Sequence, residues 1–487
     1  MAHSQTAAFR HRVRDHMRAP PVVVDGEVRA LEVVVLMAEA RASAAVVVDQ
    51  AGRIEGILTE QDVTRRIAAR QVGDAPVASL MTRPVAAVGV EQPLYEAIGF
   101  MHRLRLRHMP VVGERGALVG MLYLAEALAA AAPGLVEHID RLTHESTLDG
   151  LREVKAAQVR LAGDLFADRV PAPEIQSLIS TINNDIHRRV LALDLEAMAA
   201  GGWGGPPVPF CAIVMGSGGR GESFLFPDQD NGFVLDDYPD AEHTRTDAFF
   251  IELADRMSRH LDQLGFPLCR GGVMAINPVW RKTRSQWRAQ VTRWVRRRSE
   301  VALLLADILF DFRSVYGEER FAEELRDAIA MLCRDNRAFL QEMLGIQADH
   351  RAGLGWFNRL QTEKHDPAHK GKVNLKLAGT LPLAEAVRLL ALRAGIPETG
   401  TLARIEALCA SGEIDADQQD RLRAAFDHIT GLQLRQQIAD YQAGQPVSNF
   451  VDPAGLTARE TELLKDAFRA INEFRVRVRA DLTGELL

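Results

Sequence analysis

The sequence predicts an α+β multidomain chain: a duplicated small α/β unit, then a central α/β domain, then an all-helical C-terminal region. Three observations carry this. A block near the N-terminus recurs at a shift of 64 residues. Two short apolar runs near residues 210 and 232 are joined by a glycine-rich turn and an acidic segment. From about residue 300 onward, apolar residues recur three and four apart, the helical period. Composition agrees, because 47% hydrophobic and 25% charged residues in 487 exclude a disordered, collagen-like or disulfide-stapled chain. A net charge of −7 gives no global electrostatic case for nucleic acid or an anionic membrane, so no DNA, RNA or membrane partner is expected. Cys211, Cys269, Cys333 and Cys409 lie far apart with no C-x-x-C pair, which suits a reducing compartment and argues against a zinc knuckle. The first residues lack an apolar signal region, and no apolar run approaches the roughly 18 residues of a membrane span. A cytoplasmic location is expected.

The repeat organises the first quarter. Met17-Arg18-Ala19-Pro20 recurs as Met81-Thr82-Arg83-Pro84, and AVVVDQAGRIEGIL (45–58) falls on MPVVGERGALVGML (109–122). Each copy reads as a helix (30–40 or 93–104), a β-branched strand, a glycine turn, a second strand and another helix. Two such units pack as one pseudo-symmetric pair. Gly56-Ile57-Leu58-Thr59-Glu60-Gln61-Asp62 places a hydroxyl and a carboxylate at a helix start, and with these residues the layout resembles a tandem pair of CBS domains over roughly 10–130. In that family the hydroxyl and carboxylate grip the ribose of an adenine nucleotide, so the resemblance implies a regulatory site at Gly56, Thr59 and Asp62. It also implies a homodimer formed through the CBS pair. The chemistry fits, since a carboxylate accepts from both ribose hydroxyls while backbone N–H groups face phosphate. The second copy has Tyr123 and Glu126 at the matching positions, so one competent site at most is expected. A pair serving only dimer packing is the alternative.

Residues 134–200 read as a helical connector, closed by Gly201-Gly202-Trp203-Gly204-Gly205-Pro206-Pro207, a cluster that breaks helices. Beyond it lies the expected chemical centre, in a domain spanning 206–320. Phe210–Met215 suits a buried strand and runs into Gly216-Ser217-Gly218-Gly219-Arg220-Gly221-Glu222. Asp228-Gln229-Asp230-Asn231 then precedes a second apolar run. Gly216, Gly218 and Gly221 satisfy G-x-G-x-x-G, with Asp236 twenty residues on, but the space before Pro227 is too short for the crossover helix of a dinucleotide-binding unit. The other reading is nucleotidyl transfer. A Gly-Ser turn after a strand offers N–H groups and a hydroxyl to a triphosphate. Alternation puts Asp228 and Asp230 on one face, as ligands for Mg²⁺ or Mn²⁺ that would orient an NTP substrate and stabilise pyrophosphate.

With GSGGRGE at 216–222 and DQDN at 228–231, the chain resembles the bacterial family of nucleotidyltransferases that sit behind CBS pairs. That family is related to the nucleotidyltransferase domain of PII protein uridylyltransferase and to the DNA polymerase β superfamily. PLCRGGVMAINPVWR (267–281), DILFDFRSVYG (307–317), LGWFNRL (354–360) and NLKLAGTLPLAEAVRLLAL (374–392) extend the likeness in order. The resemblance implies a polymerase β-like domain with Asp228 and Asp230 as catalytic and metal-binding residues. Gly216, Ser217 and Arg220 would hold the nucleotide, and the helical region 321–487 would bind the acceptor, with a regulatory protein as its expected source. Superfamily members usually add a third carboxylate, and the 271–280 stretch contains no acid. Asp311 is the candidate, with a salt bridge to Arg313 or a neighbouring arginine as its other reading. A non-catalytic nucleotide-sensing scaffold is the alternative function.

Four further features need placing. Nine Lys or Arg and no acid lie between Leu264 and Arg298, either as a solvated helix face or facing a triphosphate or acidic partner. Trp280, Trp287 and Trp294 recur every seven residues, as a buried helix stripe or a base-stacking platform. His365 and His369 flank Pro367, which predicts a loop and not a metal-binding helix. Lys376 is a candidate phosphate contact.

Overall fold

The computed structural model describes residues 12–484 apart from 21, 41, 69–73, 93, 95–96, 98–99, 102–103, 105, 114–115, 125, 128–144, 146, 168, 335, 348–352 and 356–357. Most of the stretch 134–145, part of the expected helix at 93–104, and Trp356 and Phe357 of the LGWFNRL motif therefore lie outside the described residues. The chain separates into two compact units, residues 1–140 with 167–170, and residues 141–166 with 171–487.

In the first unit, β1 (Val23–Asp25) runs parallel to β2 (Ala44–Val48), which pairs antiparallel with β3 (Ile54–Thr59); helix α1 (Ala30–Glu39) connects β1 to β2. The second copy uses β4 (Val88–Gly89), β5 (His108–Val112) and β6 (Leu118–Tyr123) in the same order. Its register repeats at the 64-residue shift. Val24 opposite Val47 becomes Val88 opposite Val111, and Val47 opposite Gly56 becomes Val111 opposite Gly120. The lead-in segments are exchanged. Thr82 bridges Ile57 of the first sheet, and Arg18 bridges Met121 of the second. Met81 lies over Gly56 and Met17 over Gly120, so a Cβ at either glycine would fall within 3 Å of a methionine sulfur. Gly56 thus has a packing reason to be glycine as well as a place in the candidate regulatory site.

The second unit opens with two long helices, α2 (Leu148–Ala167) and α3 (Ala172–Ala200). A four-stranded sheet follows, ordered β10-β7-β8-β9. Its strands are β7 (Phe210–Met215), β8 (Asn231–Leu235), β9 (Arg281–Thr283) and β10 (Phe312–Gly317), and only the β8–β9 pairing is parallel. Every residue of the central strands β7 and β8 is buried, because helices cover both faces, and a doubly covered strand reads as a continuous apolar run. On one face Phe210 and Phe233 pack edge-to-face with Phe250 of the helix His243–Gln263. On the other, Cys211, Ile213, Met215 and Val234 join a core that continues without a break into the C-terminal helices. Those helices are Glu319–Arg334, Arg337–Ile346, Leu381–Ala394, Thr401–Ala410, Ala416–Gln442 and Ala458–Thr483.

The three-tryptophan spacing does not describe one helix stripe. Trp280 precedes β9, while Trp287 and Trp294 belong to the helix Arg284–Arg297. All three are buried, and Trp287 Nε1 donates to the Phe233 carbonyl at 3.0 Å, so they pack the core and present no stacking platform. Residues 271–280 form turns and contribute no ladder strand of their own. No helix among the described residues is long and apolar enough to cross a membrane.

Candidate active site

The site begins where β7 ends. Gly216 adopts φ +58°, a left-handed conformation that favours glycine, and a Cβ there would sit 3.1 Å from Asp230 Oδ2. The chain then makes one short helical turn, Gly216–Arg220, and exits through Gly221 at φ +74°. Gly219 is fixed by space, because its Cβ would lie 2.1 Å from the carbonyl oxygen of Asp311. Three of the glycines in the GSGGRG run therefore have distinct backbone reasons to be there.

Asp228, Gln229 and Asp230 form an extended segment just before β8. Gln229 turns inward, fully buried, and donates to the Ser258 carbonyl at 3.0 Å and the Phe266 carbonyl at 2.8 Å. That anchoring holds the flanking carboxylates. Asp228 is exposed, and Asp230 lies beneath it against Gly216, hydrogen-bonded by the Cys269 thiol. Burial, aided by the nearby Asp228 charge, raises Asp230 to about 6, with Lys376 and Arg220 acting the other way. Lys376 is exposed and begins the turn Lys376–Thr380, so the structure brings this sequence candidate beside the carboxylates. The Ser217 hydroxyl has no protein partner among the described residues. Sequence reasoning missed Cys269 and the Gly216 cradle; the adjacency of a strand end to D-x-D was the available signal for the second.

The loop carrying the carboxylates is supported from below. Lys155 is buried, donates to Asn183 Oδ1 at 2.8 Å and the Leu225 carbonyl at 2.7 Å, and lies 4.2 Å from the Phe266 ring. Burial without a carboxylate partner pushes its pKa well below the usual lysine range. Leu225 N–H donates to Gln437 and Ser223 N–H to Ser180, so three helices grip the segment.

Two expectations change. Arg220, expected among the triphosphate contacts, gives Nε to Glu222 at 2.7 Å and Nη1 to Asp311 at 2.9 Å. Asp311, the candidate third carboxylate, is fully buried and also accepts from Arg388 and Arg404, both at 2.6 Å; Arg313 is not among these partners. With three guanidiniums around it, Asp311 is a structural counter-ion and holds no free oxygen for a metal. No group of three or more His, Cys, Asp or Glu suited to a metal forms among the described residues. A cation at Asp228 and Asp230 would complete its shell with oxygens from water and substrate, the usual arrangement for Mg²⁺. The donor set fits, since a half-buried carboxylate with a raised pKa sits beside a second carboxylate and forms no ion pair among the described residues.

His365 and His369 lie in a loop, as expected, with His369 stacked on Phe450. In the first unit, Thr59 Oγ1 donates to Asp62 Oδ2 at 2.8 Å and Asp62 N–H donates back to Thr59, a capping box at the start of a short helix. Thr82 Oγ1 reaches Asp62 Oδ1 at 3.2 Å, and Arg66 pairs with the same carboxylate. In the second copy Glu126 pairs with Arg18, the residue 64 positions before Thr82.

Three family models tile the chain. "CBS domain" matches residues 13–69 and 77–132, "Putative nucleotidyltransferase DUF294" matches 156–301, and "Putative nucleotidyltransferase substrate binding domain" matches 337–482. The fold and this order define a class: a CBS pair joined to a nucleotidyltransferase-like domain and a helical partner. The chain belongs to the "putative nucleotidyltransferase" family that carries a CBS pair ahead of those two domains. An "Uncharacterized 17.7 kDa protein" of Acidianus ambivalens is 30% identical over 108 residues, 22% of this chain and 65% of that protein. The "CBS domain-containing protein CBSCBSPB5" of Arabidopsis thaliana is 29% identical over 107 residues, covering 22% of this chain and 19% of the plant protein. Among solved structures, an AMP complex of a CBS domain protein from Pyrobaculum aerophilum is 27% identical and covers 24% of this chain and 89% of that one, with a TM-score of 0.23.

The Asp230 environment yields a pH signature in metal-free buffer. Below about pH 3 its carboxyl is neutral in both folded and unfolded chains and costs nothing. Above pH 6 the folded chain must bury a charge that the unfolded chain solvates, a cost of up to about 3 kcal/mol for two pKa units. Asp230→Asn is therefore expected to be more stable than the parent at pH 8, with the gain shrinking as pH falls through 6 and vanishing near about pH 3, by urea unfolding. A gain that does not vary with pH would show that the carboxylate is not strained by burial.

Proposed function

We propose that this protein is a Mg²⁺-dependent nucleotidyltransferase (Mn²⁺ replacing Mg²⁺) that moves a nucleoside monophosphate from an NTP to a hydroxyl. The resemblance to PII protein uridylyltransferase suggests a tyrosine of a regulatory protein as acceptor. The observation that carries the reading is Asp230 packed against Gly216 of the glycine-serine turn, with the charges of Asp228 and Lys376 near enough to act on it. The Ser217 hydroxyl and the N–H groups of the turn donate to the triphosphate, and Lys376 adds positive charge at the open side. Asp228 and Asp230 would hold the metal. A bound divalent cation supplies Lewis-acid charge to the triphosphate and to the leaving pyrophosphate. The acceptor oxygen forms its bond to the α-phosphorus as the bond to pyrophosphate breaks. Arg220 acts through the turn, tying it to Asp311 and Glu222.

A second reading has a specific observation behind it. With Asp311 enclosed by arginines, the described residues offer two carboxylates at the site, which suits a nucleotide-sensing scaffold without transfer. Incubation with labelled ATP, UTP, CTP and GTP, Mg²⁺ and host lysate separates the two. Label on a protein, abolished by Asp228→Asn or Asp230→Asn with folding retained, is the expected result. Undiminished transfer by the double variant would place the site elsewhere, and no transfer by the parent would favour the scaffold.

For the CBS pair we propose one adenine-nucleotide site per chain, at Gly56, Thr59 and Asp62, that biases transfer. Asp62, which accepts from Thr59 and Thr82 and pairs with Arg66, would turn its carboxylate to the ribose hydroxyls in this reading. Calorimetric titration of AMP is expected to give one site. Asp62→Ala should weaken it by about 10–150-fold, the roughly 1.5–3 kcal/mol of hydrogen bonds to a charged group, and Glu126→Ala far less. Two equal sites, or none, would contradict the asymmetry.

A further inference from the structure

The arginine-rich stretch does not converge on the carboxylates. Asp230 precedes the start of β8, whereas Asp236, Asp237 and Arg284 lie past its end, with Asp236 and Arg284 paired. The five residue-to-residue steps from Asp230 to Leu235 alone span some 17 Å at about 3.3 Å per residue. Arg281, at the start of β9, is buried and committed to Asp247 and to the carbonyls of Ala275 and Ile276. What remains of the basic run faces a separate cavity.

That cavity, of about 700 Å³, is lined along one wall by the helix Arg284–Arg297. Arg288, Arg293, Arg296 and Arg297 all border it, all are exposed, and none forms an ion pair among the described residues. Arg288 and Arg296 are two helical turns apart, about 12 Å at 1.5 Å per residue, with Arg293 and Arg297 on the adjoining row. The two acids in the wall are already engaged. Glu324 accepts from Arg284 at 2.5 Å, and Asp237 accepts from Ser285 N–H at 3.1 Å and from its hydroxyl. Four uncompensated guanidiniums therefore face one concavity on a chain whose net charge is −7.

We propose that this cavity is a second anion site, distinct from the carboxylate site, that binds a small molecule bearing an oligophosphate chain. Guanidinium groups match phosphate oxygens in bidentate geometry, and a linear row of them suits several linked phosphates better than one. The cavity is open to solvent on one side, and its volume falls in the range of small-ligand pockets, which favours a small molecule over an acidic protein segment. A nucleotide and inorganic polyphosphate both carry such a phosphate chain and present the same chemistry to the four arginines.

The test uses the full chain in EDTA, where metal-dependent triphosphate binding at Asp228 and Asp230 is absent. Calorimetric titration of inorganic tripolyphosphate is expected to show one site per chain, at least tenfold weaker at 200 mM than at 50 mM NaCl. Arg288→Gln with Arg296→Gln should weaken binding at least tenfold with an unchanged melting temperature, since both side chains are exposed. Arg270→Gln with Arg298→Gln, outside the cavity, should leave it unchanged. An additional loss of ATP affinity in the cavity variant beyond that for tripolyphosphate would identify a nucleotide source; equal losses would identify the phosphate chain alone. No binding by the parent, equal binding by the cavity variant, or tighter binding of a poly-glutamate peptide than of tripolyphosphate would overturn the proposal.

Discussion

Asp311 and its arginines form the interaction on which the second unit depends. The aspartate sits at zero exposure just before β10, where burial alone would drive its carboxyl to hold a proton. The guanidiniums of Arg404, Arg388 and Arg220 reverse that and hold it well below the usual carboxylate range. Each partner comes from a different element: Arg220 from the turn after β7, Arg388 from the helix Leu381–Ala394, Arg404 from the helix Thr401–Ala410. Arg388 extends the cluster to Asp307, and Arg220 to Glu222. A buried charge stripped of a partner typically costs about 3–5 kcal/mol, so such a cluster assembles whole or not at all.

The geometry of the site follows from that clamp. Glu222 takes the opposite direction from Arg220 and accepts from the Thr401 N–H, at the start of the same helix that supplies Arg404. Thr399 donates to the Gly219 carbonyl, and Gly400 packs against the Arg220 carbonyl. The turn is thus tied at Gly219, Arg220 and Glu222, which leaves the Ser217 hydroxyl without a partner among the described residues and Gly216 cradling Asp230. Sheet and C-terminal helices share one apolar core, so the candidate acceptor-binding region and the nucleotide turn are mechanically continuous.

The sequence made some of this legible and hid the rest for physical reasons. The CBS repeat was readable because strand register preserves spacing: a 64-residue shift in sequence is the same shift in every paired residue. The strand–turn–D-x-D constellation was readable because its parts are adjacent in the chain. The tie between Arg220 and Asp311 was hidden because the two lie 91 residues apart, and the salt-bridge reading of Asp311 lacked its other partners because Arg388 and Arg404 lie 77 and 93 residues beyond it. Local context pointed instead to Arg313, two residues on. The seven-residue tryptophan spacing suggested one helix because a period cannot show that Trp280 belongs to the preceding turn. The arginine run was visible as charge, but its direction depends on β9 pairing parallel to β8, a tertiary choice that no local pattern encodes.

The claim that one buried carboxylate clamps the nucleotide turn to the acceptor-side helices is tested most directly by hydrogen exchange on Asp311→Asn. Asparagine keeps the shape and removes the charge, leaving three guanidiniums in a cluster with one counter-ion fewer. The account predicts that amides of Ser217–Glu222 and of Thr401–Arg404 lose protection together, while those of the CBS strands keep theirs. Unchanged protection in both segments, or loss confined to one of them, would contradict it.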